Sequence, residues 1–385
     1  MPLVPPGAEL SEDYRMIIEA TREFAKAELL PLDRKWDANE SSVNEILPTL
    51  GEMGLLNLCI PEELNGLGCP YRIYAAIIHE IAVWSPSTAV TIAVHSMVGH
   101  VLKKFVTGPL RNRWLDGWGD AANFAAFALS EAGAGSDAGA AATTAVKVDG
   151  GYRVNGEKMW ITNGMHGRWF LTLVRLQGVS EEETLCAVVI DGNEPGIERT
   201  EIHGKMGIRG SETAVMSLSD VFVPADHLIG ERGKGLQVCL STLNEGRIGI
   251  AAQATGIAEA CLNEMVNYAR QREQFGRPIG KFQAVANMIA DSAVELEAAK
   301  ALTWRAASMV DAGACDPASS SMAKLYATEA ANRIAYRAVQ VHGGTGYVNE
   351  CRVEQLYRDA RVTTIYEGTS EVQRILIARE LAKRG

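Results

Sequence analysis

The sequence places one carboxylate where chemistry would want it. In IYEGTSEVQRILIAREL (365–381), Glu367 follows the β-favouring pair Ile365-Tyr366 and precedes Gly368. Ser370 with Gln373 three residues on reads as a capping box, so a helix is predicted over 369–382. Glu367 and Gly368 then lie just outside its N-terminus, at the end of a short extended segment, where glycine permits a sharp turn. A solvated acid complementing the helix dipole is the plain reading. A desolvated base held over a cavity is the chemical one.

Four further stretches carry ligand-binding chemistry. ALSEAGAGSDAG (128–139) is a small-residue turn after an apolar strand. Gly133-Ala134-Gly135-x-x-Ala138 fits a loose dinucleotide pattern, but a hairpin follows instead of a helix, against a Rossmann loop. An ordinary turn, or a loop whose backbone approaches a planar or phosphorylated ligand with Ser130 and Ser136 as hydroxyls, both fit. KMWITNG (158–164) puts Trp160 and Thr162 on one strand face, suited to a flat heteroaromatic ring or to core packing. ARQREQFGRP (269–278) clusters Arg270, Arg272 and Arg277, for an anion or for a helix C-terminus. QVHGGTGY (340–347) reads as a glycine C-cap with a packed His342. No metal-ligand spacing, GxSxG or P-loop occurs.

The elements that must position these residues fall into three blocks. Residues 1–121 read as helical, with patterns over 9–30 (ended by Pro31), 42–53, 71–84, 87–106 and 109–118. Residues 122–232 read as a β domain: a buried run at 124–130, a hairpin over 143–162 turning at Asp149-Gly150, and strands at 168–176, 183–191 and 213–224. Residues 233–385 read as a helical bundle, with helices over 234–273, 279–312, 317–342 and 369–382. The fold class expected is therefore α+β and multi-domain: an N-terminal helical domain, a middle β-sandwich or barrel-like domain and a C-terminal four-helix bundle.

Composition narrows the function. With 385 residues, 47% hydrophobic and 22% charged, the chain is long enough for several cores. A net charge of −10 argues against nucleic acid or an anionic membrane as a general partner. Seven cysteines without a CxxC pair favour a reducing compartment over a disulfide framework. The N-terminal stretch has no basic and apolar leader pattern, so a cytoplasmic location is expected. Residues 81–102 lack charge over a membrane-spanning length, but Pro86 between serines splits them into two buried helices.

The order of LSEAGAGSDAG, KMWITNG, NEGR (244–247), RQREQFGRPI, QVHGGTGY and YRDARVTTIYEGTSE resembles the acyl-CoA dehydrogenase family, closest to its short-chain, butyryl-type branch, over about 9–383. The resemblance implies FAD as cofactor, a short- or medium-chain acyl-CoA as substrate, a homotetramer built as a dimer of dimers, and an electron-transfer flavoprotein as acceptor. It makes Glu367 the catalytic base. It implies FAD contacts at Phe127, Leu129, Ser130, Gly135, Ser136, Trp160, Ile161 and Thr162 around the ring. Arg272, Phe275 and Gln283 resemble the pyrophosphate and adenine site, and Gln340, Val341, Gly343 and Gly344 its other half across a dimer interface. Thr369 and Glu371 would touch FAD at the helix start. Ser136, Asn244, Arg247 and Gly368 resemble substrate positions. The family's thioester oxygen is met by the backbone N–H of the base residue and a ribityl hydroxyl.

Three positions depart from the family pattern. Ala132 stands where proline is usual, Asn244 replaces a frequent Asp, and Glu245 replaces an often apolar residue. Gly246 sits where some isovaleryl-type members carry their base, which strengthens the resemblance-based reading of Glu367. The alternatives are a branched-chain dehydrogenase, an oxygen-using oxidase of the same fold, and a non-catalytic acyl-CoA-binding helical protein. The last would not need an acid at 367.

Overall fold

The computed structural model describes residues 3–383. The N-terminal block is helical: α1 (Glu12–Phe24), α2 (Leu30–Asp37), α3 (Leu47–Glu52), α4 (Tyr71–Trp84), α5 (Pro86–Phe105) and α6 (Gly108–Leu115). Pro31 does not end the first helix. A π turn over Ala25–Leu29, in which Leu30 N–H reaches Ala25 O, carries the chain into α2 with Pro31 in its first turn. The wider turn absorbs the hydrogen bond and space that proline denies. The apolar stretch at 81–102 breaks at Ser85, whose hydroxyl caps α5 by accepting from Thr88 N–H, 3.1 Å. Both helices are buried in protein, and no helix among the described residues is long and apolar enough to cross a membrane.

The middle block carries β1 (Ala125–Ala128), β2 (Thr144–Val148), β3 (Gly151–Thr162), β4 (Trp169–Leu176), β5 (Leu185–Asp191), β6 (Ile197–Glu201), β7 (Thr213–Pro224) and β8 (Leu228–Ile229). They form one mixed sheet in the order β6-β7-β3-β2-β4-β5-β8, with β1 beside β4 in parallel. The β2–β3 hairpin turns at Asp149-Gly150, where Gly150 has φ +76°. β6 and β8 are strands that the alternation pattern did not reveal. The sheet curls so that Met216, Leu218 and Val221 of β7 share one core with Phe170 and Val174 of β4 and Val188 of β5. Its other face, with Leu171, Leu173 and Val189, packs on α5, α6 and the start of the next helix.

That helix, α7 (Gly235–Gln271), runs 37 residues, roughly 55 Å. A small hairpin follows, β9 (Glu273–Gln274) and β10 (Arg277–Pro278), then α8 (Gln283–Asp311), α9 (Pro317–His342), α10 (Arg352–Val362) and α11 (Ser370–Ala382). The sequence pattern missed α10. One apolar core runs from Ile73, Ile77 and Ile81 of α4 through Ile248 and Ile257 of α7 to Leu296, Ala327, Ile334 and Leu356. The N-terminal helices are thus welded to the bundle, and α7 is its central strut. The seven cysteines are free.

Candidate functional site

Glu367 sits on a turn, not at the end of an extended segment. Ile365 N–H and Tyr366 N–H both donate to Val362 O, 2.8 and 3.2 Å, so the chain coils off α10. Glu367 and Gly368 then take left-handed backbone, φ +50° and +93°. For glutamate that conformation costs about 1–2 kcal/mol, so its surroundings must impose it. They do so through carbonyls: Gln373 Nε2 donates to Glu367 O and Gly368 O, 3.2 and 2.9 Å, and Lys324 Nζ donates to Gly368 O, 2.8 Å. Gln373 is therefore not a capping-box partner of Ser370. The cap is Thr369, whose hydroxyl accepts from Val372 N–H, 3.4 Å, while Ser370 is buried with its hydroxyl unpaired.

The carboxylate points inward. Both its oxygens are buried with no hydrogen-bond partner among the described residues. Burial pushes its pKa up to about 7, against the pull of Lys324 and Arg247. Gly246 makes room for it: a Cβ there would lie 2.5 Å from Glu367 Oε2 and 2.5 Å from Met97 Sδ. Arg247 is buried and donates to Asn244 Oδ1, 2.7 Å, leaving Nε unpaired. The Glu367 N–H makes no hydrogen bond among the described residues. An unpaired buried acid beside an unpaired backbone donor can take a proton and support developing negative charge on a neighbouring oxygen.

The sheet supplies a second wall. After β1 the small-residue loop is held by a buried ion pair, Glu131 with Lys158, 2.7 Å. Lys158 Nζ also donates to Leu129 O and Leu173 O, and Glu131 accepts from Ala142 N–H and Thr143 N–H. Burial raises the Glu131 pKa, but these donors outweigh it and hold it down to about 2. Met159 N–H donates to Ser130 O, fixing the loop to β3. A bulge between Lys158 and Ile161 turns Trp160 to φ +62° and leaves it 60% exposed. A large ring held outward on a strained strand, with open space over Gly133 and Gly135 of the loop that this strand anchors, fits a planar cofactor resting on this face. Thr162 and Phe127 are half-buried, Ser136 and Gly135 exposed. Leu129 and Ile161 are buried in the core, so only their backbones can face a ligand.

Arg272, Phe275, Gln283, Gln340, Gly343 and Gly344 gather elsewhere. Arg272 lies 25 residues along α7 from Arg247, roughly 38 Å. There Phe275 is 93% exposed at φ +51° on the β9–β10 turn, and Gly343, φ +59°, caps α9. Tyr268 stacks on His342 at 4.3 Å, which brings the arginines and the glycine loop to one end of the bundle. His342 is the packed histidine expected. Val341 is buried, its side chain turned into the core. Thr369 and Glu371 border a shallow polar cavity of about 280 Å³ with Arg361 and Glu329. Within one copy of the chain, this end of the bundle thus lies far along α7 from Arg247 and the Glu367 carboxylate it faces.

Lys158, Glu131 and Lys324 are site residues that no motif in the sequence marks. Lys324 lies on the buried small-residue stripe Ser320, Ala323, Ala327 and Ala331 of α9, a misplaced cation that is the one available signal.

Comparison with known proteins agrees with this architecture. Three family models match: acyl-CoA dehydrogenase N-terminal domain over 11–120, middle domain over 126–221 and C-terminal domain over 233–382. The short-chain specific acyl-CoA dehydrogenase of Rattus norvegicus is 40% identical over 379 residues, covering 98% of this chain and 92% of that protein. Butyryl-CoA dehydrogenase from Megasphaera elsdenii superposes with a TM-score of 0.94 at 32% identity, covering 97% and 99% of the two chains. A glutaryl-CoA dehydrogenase from Mycobacterium smegmatis, solved in complex with FADH2, gives 0.91 at 26%, covering 97% and 95%.

Proposed function

The chain belongs to the acyl-CoA dehydrogenase family, and from that premise we propose that Glu367 is the base that removes the α-proton of a short- or medium-chain acyl-CoA. The enzyme is an FAD-dependent acyl-CoA dehydrogenase. FAD supplies the hydride acceptor. The carrying observation is the Glu367 carboxylate, buried, unpaired and with its pKa at about 7. Such a group is poised to accept a proton near neutral pH, and a simple binding protein gains nothing from desolvating it.

The chain's own contributions follow. Glu367 takes the α-proton while its free N–H holds the thioester oxygen as negative charge gathers there. The electron pair of the broken α-C–H bond becomes the new double bond as hydride leaves the β-carbon, giving a trans-2-enoyl-CoA. Gly246 and Gly368 leave the space that this approach needs. Ser136, Asn244, Arg247 and Gly368 bound the substrate. Phe127, Leu129, Ser130, Gly135, Ser136, Trp160, Ile161 and Thr162 would hold the flavin ring. Thr369 and Glu371, with Arg272, Phe275, Gln283, Gln340, Val341, Gly343 and Gly344, would hold the rest. Arg272 stands roughly 38 Å along α7 from Arg247, which neighbours Glu367, and this supports a second copy supplying Arg272, Phe275, Gln283, Gln340, Val341, Gly343 and Gly344, within a dimer-of-dimers tetramer, while Thr369 and Glu371 stay on the copy that carries the base. An electron-transfer flavoprotein is the proposed acceptor, and domain limits near 121/122 and 232/233 belong to the same reading.

The test is optical. The purified holoenzyme, mixed anaerobically with butyryl-CoA, should lose its yellow flavin absorbance. Retained colour with every straight and branched acyl-CoA of a panel would refute the assignment.

A further inference from the structure

Beyond Glu367, the helices that enclose its carboxylate converge on a second set of unpaired polar groups. Met97, which faces Gly246 and Glu367, lies three residues before His100 on α5, so the two side chains stand one above the other, roughly 5–6 Å apart. His100 is 5% exposed, and neither ring nitrogen has a hydrogen-bond partner. Burial lowers its pKa to about 3, so the ring is neutral, with one donor and one acceptor. Its Nδ1 faces Glu245 Oε2 at 3.6 Å, too long for a hydrogen bond.

Glu245 precedes Gly246 on α7, and its backbone carbonyl accepts from Tyr71 O–H, 2.8 Å. Its carboxylate is a quarter exposed, and burial raises its pKa against the pull of Lys104 and Lys103. Tyr71 and Tyr74 flank the His100 ring, centroids 5.0 and 5.9 Å away. The Tyr74 hydroxyl lies 2.8 Å from where a Cβ on Gly249 would stand, one helical turn from Gly246. A pocket end for a plain alkyl chain would be apolar, because unpaired polar groups facing a methyl lose their hydration without return.

Resting on the reading of Glu367 as the base of an acyl-CoA dehydrogenase, we propose that His100, Glu245 and the Tyr74 hydroxyl form a hydrogen-bonding subsite at the far end of the acyl pocket, selecting a short acyl group that ends in a hydrogen-bond donor such as a hydroxyl. Glu245 sets the polarity of that choice. Its carboxylate accepts from a donor and repels an acyl group that ends in a carboxylate.

The experiment compares hexanoyl-CoA with 5-hydroxypentanoyl-CoA, in which a hydroxyl replaces the terminal methyl, using holoenzyme. The wild type should favour the hydroxylated substrate in kcat/KM by about tenfold or more. Glu245→Met and His100→Leu should bring the ratio to about one or below. Glu245→Gln, which keeps an acceptor, should hold most of the preference. Titrating the flavin spectrum of the Glu367→Gln variant with both ligands reads the same preference as dissociation constants, without turnover. Equal values for the two substrates in the wild type, or a ratio that Glu245→Met leaves unchanged, overturns the subsite and leaves the dehydrogenase assignment standing. Failure of every acyl-CoA to bleach the flavin overturns that assignment, and the subsite with it.

Discussion

Replacing Glu367 with glutamine should stabilise the enzyme as it disables it, and the stabilisation should depend on pH. The folded carboxyl has a pKa of about 7 against an ordinary 4.5, raised by burial. At about 1.4 kcal/mol for each pH unit between the two values, the ionised form is disfavoured in the fold by about 3 kcal/mol. The sign follows from proton affinity. The folded state holds this proton more tightly than the unfolded chain does. The contribution to stability is therefore complete below pH 4.5 and is lost as pH rises through 7. Glutamine copies the neutral acid in shape and does not ionise. Glu367→Gln should match the wild type at pH 5 apart from a constant offset, then exceed it by roughly 2–3 kcal/mol at pH 8.5. Urea unfolding of both holoenzymes at fixed protein and FAD concentration, at pH 5, 7 and 8.5, reads the trend. Anaerobic flavin reduction by butyryl-CoA should meanwhile fall by about 10³-fold or more. In the wild type, kcat/KM for that reaction should rise with pH through about 7, where burial sets the pKa of the base. A stability gap between the two proteins that stays constant from pH 5 to 8.5 would show that the acid is not desolvated. Undiminished reduction would show that it is not the base.

Three further outcomes follow from the same geometry. Gly246→Ala puts a methyl 2.5 Å from both Glu367 Oε2 and Met97 Sδ, so one flexible side chain must yield; flavin content and melting should hold while the reduction rate falls about 100-fold, checked by stopped-flow absorbance. Lys324→Met removes the donor to Gly368 O and the cation that most lowers the Glu367 pKa; the kcat/KM profile should move to higher pH, and an unmoved midpoint would make the lysine a purely structural tether. Arg272→Ala should reduce the FAD retained on gel filtration, and undiminished cofactor would restrict that arginine to capping α7.

The sequence made some of this legible because local chemistry and global fold agree there. The α4–α5 break is written in Ser85-Pro86 and the β2–β3 turn in Asp149-Gly150, and both form as expected. Other features were decided by contacts between distant segments. α10 is rich in charge, and only Val353, Leu356 and Ala360 of its apolar residues are buried, a stripe too thin to stand out. Ile365-Tyr366 have the composition of a strand, but no strand among the described residues pairs with them and Val362 O takes both N–H groups. Pro31 would end an isolated helix; the π turn that rescues it is held by the buried Ala25 and Leu29.

The site residues divide along the same line, with a sharper physical reason. Glu367 was visible because glycine follows it at a helix start. Lys158 and Lys324 were not, because a lysine reads as solvated until the fold surrounds it with carbonyls, here Leu129 and Leu173 for one and Gly368 for the other. Trp160, Phe275 and Glu367, three residues nominated for ligand binding or catalysis, all take left-handed backbone that bulky side chains avoid. A sequence rule that forbids such conformations fails where a buried lysine, a bulge or a two-residue turn holds them in place. Left-handed backbone also occurs at Ile208, outside the proposed site, so strain alone does not mark a ligand position; at Trp160, Phe275 and Glu367 it accompanies a ring or a carboxylate that the proposed function aims at a bound ligand.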